Sequence, residues 1–327
     1  MTTDRSFLVV LIAAATGVVL GRGAKATIHS PGATVEAVPV GALAPSDHPG
    51  AKAGETQSSS RDEGEPEEAH PDATGENPYD EGSPGVAHPV PLRLQIPLRD
   101  GMLRLSGGHF LMGSSNTRAP VNERPVRPVS VGPFWIDRTE VTVAAYRGCV
   151  LAGVCALPAR ASATCTYDAD DPDLPVSCVH WADADTYCGW AGKRLPSERE
   201  WEYAARGPLA VPYPWGTGPN CADAVTIINE QTGKSCAPHP ARVGTHPGGA
   251  SIFGVQDMSG NLEEWTSDWY VELLGPGPAP RAGSAHVLRG GGWLSTPMQS
   301  RTTSRNWGSA LEAGANVGFR CAKDDTQ

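Results

Sequence analysis

With 26 basic against 36 acidic side chains among 327 residues, the chain is acidic overall, with a formal net charge of −10. No basic stripe runs along it, which argues against a nucleic-acid partner. All eight Cys and all nine Trp lie between Trp135 and Cys321, so the core-forming residues occupy only part of the chain.

Residues 1–26 read as a targeting segment. Arg5 precedes Phe7–Leu20, an apolar run of 14 residues. That run is short for a membrane-spanning helix and suits a signal-peptide core, with Ala24-Lys25-Ala26 as a cleavage site. The alternative is an uncleaved N-terminal anchor, which would be the chain's one link to a membrane. Both place the remainder outside the cytoplasm, as a periplasmic, secreted or outer-surface protein.

Residues 27–92 are rich in Ala, Gly, Pro, Ser and Glu and show no apolar periodicity. Between Arg61 and Glu81 there are nine acidic side chains and one Arg. Such a segment buries too little apolar surface to offset the entropy of ordering, so a disordered acidic linker is expected. Residues 93–327 are long enough for one domain with a sizeable core.

Behind a secretion signal, an even Cys count reads as disulfides. The intervals pair Cys149 with Cys155, Cys165 with Cys178, and Cys221 with Cys236. Cys188 and Cys321 are then left to each other. Zinc is the competing use of Cys, but no C-x₂-C spacing occurs.

Thr139–Ala152 is predicted as a helix. A second runs over Trp181–Gly192, with Trp181, Ala184, Cys188 and Ala191 on one face. Ser197-Glu198-Arg199-Glu200 is a capping box that starts a third, and Gly207 ends it. Predicted strands are short: Leu103–Met112, Val129–Ile136, His286–Arg289 and Gly318–Cys321. So few regular elements argue for a loop-rich α+β domain.

The densest stretch is Gly254–Tyr270, GVQDMSGNLEEWTSDWY. Asp257 to Asn261 has the residues of a tight turn, and Asp257 and Glu264 flank it with carboxylates. Side-chain oxygens and freed carbonyls are what a hard cation such as calcium requires. The alternative is an ordinary turn with a solvated acidic rim.

Taken in order, GGHFLMGS (107–114), PFWIDRTEVTVAAY (133–146) and PVSCVHWADADTYCGWAGKRLPSEREWEYAARG (175–207) precede that stretch or lead into it. YPWG (213–216), RGGGW (289–293) and NVGFRC (316–321) complete the series. Together they resemble the formylglycine-generating enzyme, or sulfatase-modifying factor, family from about Met102 to Ala322. The resemblance implies the family's loop-rich variant of the C-type lectin fold. It also supports the Cys188–Cys321 pair, because the family places one Cys in each corresponding motif.

The family's oxidases bind copper(I) through two Cys after RGGS and oxidise a substrate Cys to formylglycine. Here Ser295 falls where the first Cys is expected, and the second position falls between Pro297 and Ser300. Soft thiolates suit copper(I) and hydroxyls do not replace them, so copper and the formylglycine reaction are not expected. Glu263 stands where the family has an aromatic, and Gly292 where it has Ser. A non-haem-iron oxidoreductase needs His ligands, and no His here has that spacing. A hydrolytic Ser would need a base such as His286, but no elbow motif supports one.

Trp293, Gln299, Arg301, Arg305 and Trp307 then surround a cleft suited to a peptide, a protein segment or a small polar ligand; the alternative is that Arg301 and Arg305 pair with acidic neighbours and both Trp belong to the core. The resemblance places a calcium site on Asp257 and Glu264 side chains and on Gly260 and Leu262 carbonyls. A second, weaker site would use Asp223 and Ala224 with Ser235 and Ala237, but Ser235 replaces an expected Asp. The expected function is that of an exported, calcium-stabilised binding or accessory module. The alternative is an oxidoreductase of the same family using an unrecognised site in the same cleft.

Overall fold

A computed structural model describes residues 94, 96, 98–159, 163–216, 218, 220–229, 234–273, 275 and 280–325. The targeting segment and the acidic linker, residues 1–93 in all, lie outside these, as do the expectations made for them. No helix among the described residues is long and apolar enough to cross a membrane.

The domain opens with β1 (Leu98–Arg99), β2 (Met102–Leu105), β3 (Gly108–Met112), β4 (Arg127–Val131) and β5 (Phe134–Asp137). The run predicted as one strand over 103–112 is two. A Cβ on Gly107 would lie 2.2 Å from the Val131 carbonyl oxygen, and its φ of +72° turns the chain there. The run 129–136 likewise breaks at Gly132-Pro133, where Pro has no N–H for a ladder.

Three helices follow: α1 (Val143–Leu151), α2 (Trp181–Trp190) and α3 (Glu198–Arg206). α1 starts later than predicted because Thr142 caps it, its Oγ1 accepting from Ala145 N at 3.2 Å. Val141 instead donates its N–H to the Phe319 carbonyl. α3 begins at the Ser197 capping box, with Glu200 Oε2 accepting from Ser197 N at 2.8 Å, and ends at Gly207.

The remaining strands are β6 (Ile227–Asn229), β7 (Lys234–Ser235), β8 (Glu263–Trp269), β9 (His286–Arg289), β10 (Arg305–Gly308), β11 (Val317–Gly318) and β12 (Ala322–Asp324). The predicted strand over 318–321 is replaced by β11 and β12, with the link between them buried. One four-stranded sheet has the order β1-β2-β5-β12, all antiparallel. The other is β10-β9-β8-β11, in which β11 runs parallel to β8. β3 pairs with β4, and β6 with β7.

Alternation places Leu103, Leu105, Phe134 and Ile136 in one core with Trp201 and Tyr203 of α3. A second core joins α1 and α2 to Trp265, Leu288 and Phe319. Four disulfides form: Cys149–Cys155, Cys165–Cys178, Cys188–Cys321 and Cys221–Cys236. These are the pairs that the intervals and the resemblance lead one to expect. Cys188–Cys321 ties α2 to the link before β12 across 133 residues.

Charged side chains also enter the interior. Behind α3, Glu202 meets Arg206 and Arg289, while Glu198 meets Arg305 at 2.6 Å. Trp201 lies under Arg289, whose guanidinium carbon is 5.2 Å from the ring centroid.

Candidate functional site

The turn 257–264 is held by left-handed residues and close backbone contacts. Asp257 and Asn261 have φ of 57° and 63°. Short polar side chains tolerate that region because they bond locally. Asp257 Oδ2 accepts from Gly244 N at 2.7 Å. Asn261 Oδ1 accepts from Ala241 N at 2.9 Å. Gly260 is required: a Cβ there would lie 2.4 Å from the Val225 carbonyl oxygen.

The strand that leaves this turn, β8, carries Glu264, which the sequence reading takes either as a calcium ligand or as part of a solvated acidic rim. Glu264 is fully buried. Glu264 Oε2 accepts from Trp201 Nε1 at 2.9 Å and Arg320 Nε at 2.7 Å, and Oε1 accepts from Arg320 Nη2 at 2.7 Å. Arg320 also donates to the Gln256 carbonyl. Sequence reasoning singled out neither Arg320 nor Glu140, whose Oε1 accepts from Asn261 Nδ2 at 3.0 Å. Glu140 Oε2 is enclosed without a partner. Burial, and then the neighbouring Asp257, push the Glu140 carboxyl well above the usual range. Burial also raises Asp257. Glu140, Asp257 and Glu264 thus face one guanidinium.

The expected ligand set is therefore divided: Glu264 has Arg320 as counter-ion, and Asp257 has Glu140 beside it. Leu262 is buried. Among the described residues, no group of three or more His, Cys, Asp or Glu side chains is arranged to hold a metal ion. At the weaker site, Ser235 Oγ donates to the Ala237 carbonyl at 2.7 Å, and Asp223 Oδ2 accepts from Asn220 Nδ2 at 2.5 Å. Those groups satisfy one another.

Ser295 and Ser300 are brought together. A Cβ built on Gly291 would lie 3.0 Å from Ser295 Cβ and 2.9 Å from Ser300 Oγ. Of the positions between Pro297 and Ser300, the structure thus sets Ser300 beside Ser295. Ser295 Oγ accepts from Gly292 N at 2.9 Å. Ser300 Oγ lies 2.9 Å from Thr226 Oγ1 and donates to the Thr296 carbonyl at 3.0 Å. Both residues are buried. His286 partners neither: its ring is stacked between Trp181 and Trp269, with both centroids at 3.8 Å.

The residues expected around the cleft do not share one surface. Arg301 is buried against Glu123 at 2.7 Å, and Arg305 against Glu198. Their guanidiniums are consumed by interior carboxylates, which corrects the expectation that they face a ligand and matches its alternative, pairing with acidic neighbours. Trp293 packs into a small core with Val225 and Leu262. Gln299 is exposed, and Trp307 is 52% exposed.

Glu263 is unusual in that company. It is 8% exposed, and one oxygen accepts from Asn306 Nδ2 at 3.1 Å. Burial pushes its carboxyl up to about 7. An aromatic would fill such a position without that cost; the Glu263 departure noted in the sequence was the available signal.

Comparison with known proteins follows the motifs. The model of the sulfatase-modifying factor enzyme 1-like domain matches residues 93–325. The formylglycine-generating enzyme of Streptomyces coelicolor is 33% identical, over 68% of this chain and 89% of its own length. The inactive C-alpha-formylglycine-generating enzyme 2 of Mus musculus is 32% identical, over 68% of this chain and 85% of its own. Among solved structures, PvdO from Pseudomonas aeruginosa superposes with a TM-score of 0.60 at 26% identity, covering 68% of this chain and 94% of that one. The chain belongs to the sulfatase-modifying factor, or formylglycine-generating enzyme-like, family.

Proposed function

We propose that the chain is an exported, non-oxidising member of this family that works as a binding or accessory module stabilised by calcium. The observation that carries this reading is the pair Ser295 and Ser300, which hold hydroxyls where copper(I) needs soft thiolates. Both hydroxyls are already engaged within the protein. Export has support in the four disulfides, which fit an oxidising compartment. In this reading residues 1–26 direct export, 27–92 act as a spacer and 93–327 form the working domain. Its ligand is a peptide, a protein segment or a small polar molecule, met by exposed groups such as Gln299 and Trp307.

The acidic cluster fits a divalent hard cation. Three carboxylates facing one guanidinium leave excess negative charge indoors, and Glu140 Oε2 lacks a partner. Asp257 and Glu140 would supply side-chain oxygens, and Gly260 and Leu262 carbonyls. Glu264 Oε1 has a lone pair to spare beyond its bond to Arg320. Calcium bound there would brace the turn between β8 and the residue 225 region.

Incubation with a sulfatase-derived Cys peptide, copper and oxygen should give no formylglycine by mass spectrometry; robust turnover overturns the non-oxidising part. A chelator should lower the melting temperature, since a cation at a hundredfold excess over its Kd contributes about 2.7 kcal/mol. Identical melts with and without chelator, and no co-purifying calcium, overturn the calcium part. Stoichiometric copper or iron in purified protein would favour the second reading, an oxidoreductase using another site.

A further inference from the structure

The ion pairs behind α3 do not balance. Three enclosed guanidiniums, on Arg206, Arg289 and Arg305, share the two carboxylates of Glu198 and Glu202. Two more guanidiniums, those of Arg127 and Arg199, act on this group through their charge without a carboxylate of their own. Arg127, at the start of β4, donates to the Gly275 carbonyl and reaches Met112 Sδ at 3.6 Å. Arg199, half-buried in the first turn of α3, has no hydrogen bond or ion pair among the described residues. Asp268 is also near, but its Oδ2 accepts from Glu198 N at 2.6 Å. Five cations therefore face three carboxylates.

The donors show the same deficit. The Nε–H groups of Arg127, Arg206 and Arg289 are enclosed and unpartnered. Arg289 Nε is 3.6 Å from Glu198 Oε1, beyond hydrogen-bond reach. An enclosed N–H without an acceptor, in a field of like charge, is unfavourable twice over. Burial first, and then the charges of Arg199 and Arg305, depress the proton affinity of Arg127, opposed by the charge of Glu198.

We propose that this cation-rich group binds a small oxyanion, a sulfate or phosphate group, at its outer edge between Arg127 and Arg199. Planar guanidinium forks match tetrahedral oxyanions better than they match a spherical halide. Both side chains are half-buried, so an anion reaching them is partly desolvated yet has a route in. The site is independent of Ser295, Ser300 and the acidic turn.

The test is thermal unfolding of the full chain, with sulfate or phosphate replacing chloride at fixed ionic strength. Phenyl sulfate and phenyl phosphate are run alongside. Wild type should show a saturable rise in Tm at low millimolar oxyanion, and the Arg127→Gln, Arg199→Gln double variant should lose it. Arg242→Gln, at an exposed pair with Asp171, should keep it. Saturation by the inorganic ions alone indicates a free ion, and tighter response to the esters indicates an ester-bearing ligand. Should the double variant unfold, Arg199→Gln alone removes no contact and must still shift the half-effect to higher concentration. A response that rises linearly without saturating, as generic salting-out does, overturns the proposal. So does an equal response in the variants, or none with any probe.

Discussion

Two buried charge clusters meet at Trp201, and their imbalance is opposite. Trp201 donates its Nε1–H to Glu264 of the acidic cluster, and its ring face lies against Arg289 of the basic one. In the acidic cluster one guanidinium, Arg320, serves Glu140, Asp257 and Glu264. In the basic cluster two carboxylates serve the guanidiniums of Arg206, Arg289 and Arg305. In each, the minority charge holds the group together; two carboxyl groups are surplus in the acidic cluster and one guanidinium in the basic one. Surplus charge in an interior is costly, so each cluster is a place where a counter-ion gains most.

The sharpest way to break this contrast is to remove the minority charges. Arg320→Met and Glu202→Gln should each cost about 3–5 kcal/mol, because each strands buried like charges. Urea denaturation measures this, and a cost under about 1 kcal/mol would remove the distinction between minority and majority charge. Next in size is the Cys188–Cys321 bond beside Arg320. Replacing both Cys by Ser should cost about 2–5 kcal/mol and should loosen the acidic cluster first. Hydrogen exchange at residues 257–264, compared with α3, reads that order.

Glu263→Gln separates a lone buried carboxyl from the clusters. Its folded value, about 7, lies above the ordinary 4.5, so the folded state holds a proton that the unfolded state has released. Wild-type stability should therefore fall as pH rises from 4.5 through 7. The Gln variant should gain up to about 3 kcal/mol on wild type above pH 7 and nothing below pH 4.5. The smallest effect is expected from a majority charge. Glu140→Gln keeps the acceptor for Asn261 and offers Asp257 an N–H, so in chelator it should be neutral or gain about 1 kcal/mol. A large loss there would show that Glu140 is not surplus.

Local chemistry was legible in the sequence. The Ser197 capping box, the Gly207 stop and the local disulfide intervals needed only nearby residues. The long runs 103–112 and 129–136 were misjudged where Gly107 and Gly132-Pro133 interrupt the apolar alternation. β8 was missed because EEWTSDW has no apolar alternation; its Glu264 is buried only because Arg320 neutralises it. Such partners lie far along the chain: 56 residues for Glu264 and Arg320, and 178 for Glu123 and Arg301. No spacing rule reaches that far, so the sequence leaves Arg301 and Arg305 open between a ligand and an acidic neighbour, and only the fold places carboxylates against them.

The sheet β1-β2-β5-β12 has a consequence for how the domain tolerates being re-cut. Its strands alternate in direction, so β1 begins and β12 ends on the same side of the sheet. Three strand spacings separate them, about 14 Å. A linker of a few residues from the end of β12 to the start of β1 should therefore close the chain into a ring without moving either edge strand. New termini could then be opened in an exposed loop, such as 115–118, leaving both charge clusters intact.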